Sequence, residues 1–234
     1  MDPPSRFLPL CLSLDVPSSV AASSCLSLIG AYGTSRRHYH TLSHVEAMLA
    51  GLDEFAERKG AGAGEEGVDV VAVEFAVWFH DCVYDPLKGA PWNEEESGRR
   101  WEKFVEQAGG ALEHLREPVS TLIASTISHL PPSPLPSSLS LSTVQLFLNL
   151  DISILSSSPN SYDSYAEAIR AEYSHVSVEA FREGRAKVLG RFLARERLFL
   201  GGEEVGGGDD KEEKARSNLR REIEALKSGA APRE

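Results

Sequence analysis

Along most of this chain the apolar residues recur three and four positions apart. Over residues 41–59 they fall at Leu42, Val45, Met48, Leu49, Leu52 and Phe55, one stripe of an amphipathic helix. Residues 20–32 carry a similar pattern diluted by serines. The run 68–84 is apolar almost throughout. Its length favours a buried core helix over a strand, and Asp85-Pro86 ends it, because the residue before a proline avoids the helical region. Further helices are predicted over 92–107, 118–130, 161–173, 178–199 and 210–227. No two alternating segments are joined by a hairpin signal. The pattern predicts an all-α fold, a helical bundle.

Proline, serine and glycine interrupt this pattern. Residues 1–19 read as a loose N-terminal arm, and residues 20–230 as a single helical domain. Three low-complexity insertions are expected inside it: the glycine-alanine-acid stretch at 60–67, the Pro/Ser loop at 131–142 and the glycine-rich linker at 201–210. At 234 residues, 41% of them hydrophobic, the chain is long enough for one large core. Its net charge of −11 argues against a nucleic-acid polymer as partner, since that role needs a basic face. Cys11, Cys25 and Cys82 show no CxxC spacing and form no disulfide framework, which fits a reducing compartment. The expectation is a cytoplasmic protein. No stretch approaches the roughly 20 apolar residues that cross a membrane, so no membrane partner is expected, and a homo-oligomer stays open.

Four places concentrate the chemistry of hard metals. Residues 36–44 hold His38, His40 and His44; on a helix, His40 and His44 would share a face. His80 and Asp81 form a pair near the end of the apolar run, His129 follows Thr126-Ile127-Ser128, and Asp151 directly follows the apolar run 144–150. Each has an ordinary structural explanation taken alone: a helix-end hydrogen bond for the His-Asp pair, a satisfied polar residue for His129, a helix cap or turn for Asp151. Together they are harder to explain that way. A carboxylate and an imidazole at the edge of a buried segment are costly to desolvate unless they pair with each other or with a cation. A mixed N/O set suits Mn, Fe, Co, Ni, Zn or Mg better than a thiolate-seeking ion.

In that order, His44 … His80-Asp81 … Asp151, the chain resembles the H…HD…D signature of the HD superfamily of metal-dependent phosphohydrolases. More narrowly, it is similar to the group described as predicted HD-superfamily metal-dependent phosphohydrolases. The group's RxYHxLxH is matched by Arg37, Tyr39, His40, Leu42 and His44. Its WFHDxVYDP is matched from Trp78 to Pro86, and its NEExS by Asn93, Glu94, Glu95 and Ser97. Thr126 and His129 match a TxxH, and Phe147, Leu148, Asp151, Ser153, Ile154 and Leu155 match FLxxDxSIL. The likeness runs from about residue 32 to the C-terminal helix. One departure stands out: family members often show an acid two positions before Asp151, where this chain has Asn149.

The resemblance implies an HD-like helical bundle with a divalent metal held by His44, His80, Asp81 and Asp151. It implies hydrolysis of a phosphate ester or anhydride in a small phosphorylated metabolite or nucleotide, through a metal-activated water. His40 and His129 are candidates for supporting the ligands, for holding a second metal, or for proton transfer to the leaving group. Glu94 is a candidate general base, and equally an acid favoured by a helix N-terminus. Arg37 is a candidate phosphate grip, and an ion pair to a surface acid is the other reading. Two alternatives stay open: a di-iron oxygenase on the same fold, and a metal-binding protein without catalysis.

Overall fold

The structure is a computed structural model that describes residues 4–59 and 67–229. Among them there are helices and turns and no strand, as the periodicity predicts. The sequence suggests one domain; the structure divides into two compact units, Met1–Leu148 and Asn149–Glu234, each with a core of its own. The predicted connector at 60–67 lies, but for Gly67, outside the described residues.

Helix α1 (Pro4–Ser13) replaces most of the predicted loose arm. A proline at a helix start has no intrahelical amide bond to lose, and Phe7 and Cys11, one turn apart, are fully buried. Helix α1 packs on α2 (Ser18–Tyr32). Phe7 stands edge-on to Trp78 at 5.4 Å, while Arg6 donates to Glu74 at 2.8 Å and to Asp53 at 2.6 Å. The prolines and serines of this segment hide a short apolar stripe and its anchoring cation.

Burial raises the Cys11 thiol from an ordinary 9.0 to about 12, and neighbouring Cys25 adds to the shift. The folded chain therefore keeps a proton that the unfolded chain releases. The resulting stability is complete below about pH 9 and is lost as pH rises toward about 12. The urea midpoint is expected to fall between about pH 9 and about pH 11, and to fall less in Cys11→Ala. Equal slopes in the two proteins would refute this.

Helix α4 (Val70–Phe79) is the centre of the first unit. Asp69 caps it by accepting the Ala72 amide at 2.8 Å. Its residues Ala72, Val73, Phe75, Ala76, Val77, Trp78 and Phe79 are all buried, and a helix apolar on every side must be surrounded. Helices α3 (Leu42–Lys59), α5 (Trp92–Gln107) and α6 (Arg116–Ser125) pack against it. The predicted stripe of α3 is the buried one, from Val45 to Phe55. Trp101 and Phe104 of α5 meet Phe75 and Phe79 at 5.3 and 5.4 Å. Helix α5 has the predicted bounds, whereas α6 ends at Ser125 rather than near residue 130.

Helix α7 (Leu141–Asp151) carries the chain into the second unit. There α8 (Pro159–Glu172), α9 (Val178–Leu193) and α10 (Asp209–Ser228) enclose Tyr162, Leu189, Phe199 and Leu219. Helix α9 stops before residue 199 because the Glu212 carboxylate takes the Leu198 and Phe199 amides at 2.9 and 3.0 Å. The predicted linker at 201–210 is a packed segment. It contains a 3₁₀ turn, Glu203–Val205, with Val205 buried, and a Cβ on Gly207 would lie 2.8 Å from the Gly201 carbonyl oxygen. Its glycines serve close backbone approach rather than reach. The Pro/Ser segment before α7 has no regular structure, as predicted. No helix among the described residues is long and apolar enough to cross a membrane.

Candidate metal centre

A helix that ends inside a protein leaves carbonyls that need donors. Helix α4 ends at Phe79, well short of Asp85-Pro86, and side chains from distant segments take over. The Val77 carbonyl accepts from His80 Nδ1 at 3.0 Å and that of Trp78 from the Tyr32 hydroxyl at 3.1 Å. Burial pushes the Tyr32 hydroxyl well above its ordinary range, so it stays a donor. Arg37 donates to the Asp81 carbonyl at 2.6 Å and to that of Cys82 at 3.2 Å. Ser97 bridges the amide and carbonyl of Val83, at 3.1 and 3.3 Å, and Asn93 does the same for Asp85, at 2.8 and 3.3 Å. Asn93 and Ser97 of the NEExS match thus hold the turn that follows α4.

That turn presents His80 and Asp81 to His44, which stands in the first turn of α3. A carbonyl only accepts, so His80 Nδ1 carries a hydrogen and Nε2 is left as the ligand atom of the ring. His80 Nε2 lies 3.3 Å from His44 Nε2 and 3.1 Å from Asp81 Oδ2, and the third edge, His44 Nε2 to Asp81 Oδ2, is 4.0 Å. His80 is 1% exposed and His44 6%. Three electron-pair donors so close, with little water to separate them, call for a positive charge between them.

The donor set fits a divalent cation. With bonds of about 2.1 Å, neighbouring ligands on a tetrahedral or octahedral ion stand about 3.0–3.4 Å apart. Two of the three edges match, and the third, at 4.0 Å, is longer. His44, His80 and Asp81 form a group that can hold a metal ion, their ligand atoms all within 4.8 Å of one another. Burial pushes the thiol of Cys82, the next residue, up to about 11.

Of the eight residues predicted for the site, these three converge. Asp151 is the last residue of α7 and belongs to the second unit. His40 precedes α3 instead of sharing its face with His44; its ring stacks on Tyr84 at 4.0 Å and lies 6.2 Å from that of His44. Glu94 stands half-buried in the first turn of α5, and His129 in the turn after α6 with a left-handed φ of 50°. Arg37 is not turned outward to grip a phosphate. It is 8% exposed, and its guanidinium lies between protein carbonyls and aromatic rings. The weaker candidates Arg170 and Arg185 are engaged in the second unit, Arg170 with the Tyr173 and Val176 carbonyls and Arg185 with Glu222. Tyr32 went unrecognised in the sequence, where nothing local distinguishes a core tyrosine from one that caps another helix.

Comparison of the chain with protein-family models, with curated proteins and with solved structures finds no match.

Proposed function

We propose that the chain is a metal-dependent phosphohydrolase acting on a small phosphorylated metabolite or nucleotide in the cytoplasm. The observation that carries this reading is the convergence of His44 Nε2, His80 Nε2 and an Asp81 oxygen within 4.8 Å. A mixed imidazole and carboxylate set suits manganese, iron, cobalt, nickel or zinc, with magnesium less favoured by the two nitrogens. The likeness of the sequence to the HD signature adds Asp151 as a fourth ligand and supplies the reaction class. A divalent ion in such a set acts as a Lewis acid toward a phosphoryl oxygen and acidifies a water for attack.

The chain's own residues then have separate tasks. His80, its Nδ1 held by the Val77 carbonyl, keeps Nε2 turned toward the ion. Asp81 supplies the negative charge that makes the group selective for a dication over a monovalent ion. His40, beside His44, is placed to pass a proton to a leaving alkoxide, and His129 is the second candidate for that task. Glu94 remains the candidate base that orients water.

The test is elemental analysis of the purified full chain followed by a phosphate-release screen over nucleotides and sugar phosphates. One divalent ion per chain is expected, with release from a subset of compounds that stops on chelation and returns with manganese. Bound metal without release from any phosphate ester would reject the hydrolase, and two irons per chain would favour oxygen chemistry instead.

A further inference from the structure

Arg37 stands where the two ligand-bearing segments meet. One terminal nitrogen of its guanidinium donates to the His40 carbonyl at 3.0 Å and to the Asp81 carbonyl at 2.6 Å; the other donates to the Cys82 carbonyl at 3.2 Å. The first acceptor lies four residues before His44. The other two belong to Asp81 itself and to the residue after it. The guanidinium is flanked by the Tyr32 ring at 5.1 Å and the Tyr84 ring at 5.6 Å, and Tyr84 in turn stacks on His40. Among the described residues, its hydrogen-bond partners are backbone carbonyls.

We infer that Arg37 is the positioning residue of the metal centre: its rigid fork fixes the distance between the segment carrying His44 and the turn carrying His80 and Asp81. This rests on the metal-centre reading above. The argument is geometric. The separations of His44 Nε2 from His80 Nε2, 3.3 Å, and from Asp81 Oδ2, 4.0 Å, join side chains from two segments far apart in sequence. A backbone shift of one segment against the other alters both separations at once. Arg37 holds the backbone of both through one planar group, which a lysine, with a single ammonium on a flexible stem, does not reproduce. Tyr32 and Tyr84 keep that plane from turning. Removing groups that orient metal ligands typically weakens binding by about 10–100-fold.

The probe is Co²⁺ added to the metal-free full chain, read by titration and by the visible absorption bands of the bound ion, which report ligand geometry. Arg37→Lys is compared with wild type and with Phe104→Leu, a core variant on α5 whose ring packs on Phe75 and Phe79. The expected result is a Kd weakened about 10–100-fold in R37K with displaced bands, and a wild-type Kd and spectrum in F104L. Should R37K fail to fold, Tyr84→Leu frees the guanidinium plane while keeping its hydrogen-bond acceptors, and displaced bands are again expected. Unchanged bands and affinity in the folded variant would overturn the inference, as would equal weakening in F104L, which would tie the effect to stability alone. Absence of Co²⁺ binding by the wild type would instead reject the metal centre itself, and the positioning role with it.

Discussion

Asp81→Ala is expected to abolish stoichiometric binding of a divalent ion, and the proposed phosphate release with it. Without the carboxylate the group of three is reduced to His44 Nε2 and His80 Nε2, 3.3 Å apart, and a dication there loses one of the two carboxylates proposed to hold it, Asp151 being the other. The expected loss in affinity is at least about 100-fold, beyond what removing an outer supporting group costs. The fold is expected to survive, because the Asp81 backbone carbonyl that accepts from Arg37 is retained in alanine. Elemental analysis of the variant, beside a circular dichroism melt, separates the two. Wild-type occupancy in D81A would sink the ligand assignment, whereas an unfolded variant would show that the side chain is structural.

The second large effect is predicted at Asn149. This side chain is 2% exposed, donates through Nδ2 to the Leu200 and Val205 carbonyls at 2.7 and 2.9 Å, and accepts the Leu200 amide through Oδ1 at 2.8 Å. An amide alone among the small side chains offers donors on one side and an acceptor on the other. Asn149→Asp would set a carboxylate oxygen against two carbonyl oxygens in a buried place, at a cost of about 3–5 kcal/mol at neutral pH. The introduced acid would be held above its unfolded pKa, so its stability is greatest at low pH and is lost as pH rises. Urea unfolding should therefore show the variant recovering part of its deficit between about pH 7 and about pH 5. A deficit that does not change with pH would contradict the account. The same geometry explains why asparagine stands where the resembled family often carries an acid: here the position fastens the segment 200–205.

Much of the helical content was legible in the sequence because it is local. The three- and four-residue spacing of α3 and the bounds of α5 need nothing beyond their own residues. The end of α4 was not legible, because it is set by Tyr32, Arg37 and Ser97, whose contacts with the turn span 46, 44 and 14 positions of sequence. Helix α1 was hidden for a related reason: its stability comes from Phe7 and Arg6 meeting α3 and α4, not from its own propensity. Composition misled at 201–210, where glycine marks crowding rather than freedom. In the site, residue identity was legible and orientation was not. His44, His80 and Asp81 could be named from their types and order; that Arg37 faces inward, and that His40 leaves the helix and stacks on Tyr84, depend on which carbonyls lie in reach.

The all-round burial of α4 bears on how the chain is made. Synthesis delivers α1, α2 and α3 before α4, and α5 and α6 after it. Through the interval between them, the Phe75 and Phe79 faces lack the tryptophan and phenylalanine of α5 that later cover them. The nascent chain thus carries an unshielded aromatic-aliphatic segment with no charge but Glu74, the kind of surface that associates with its own copies when many chains are produced together. Early docking of α1, whose Arg6 pairs with Glu74 and whose Phe7 meets Trp78, shields one side before the rest arrives.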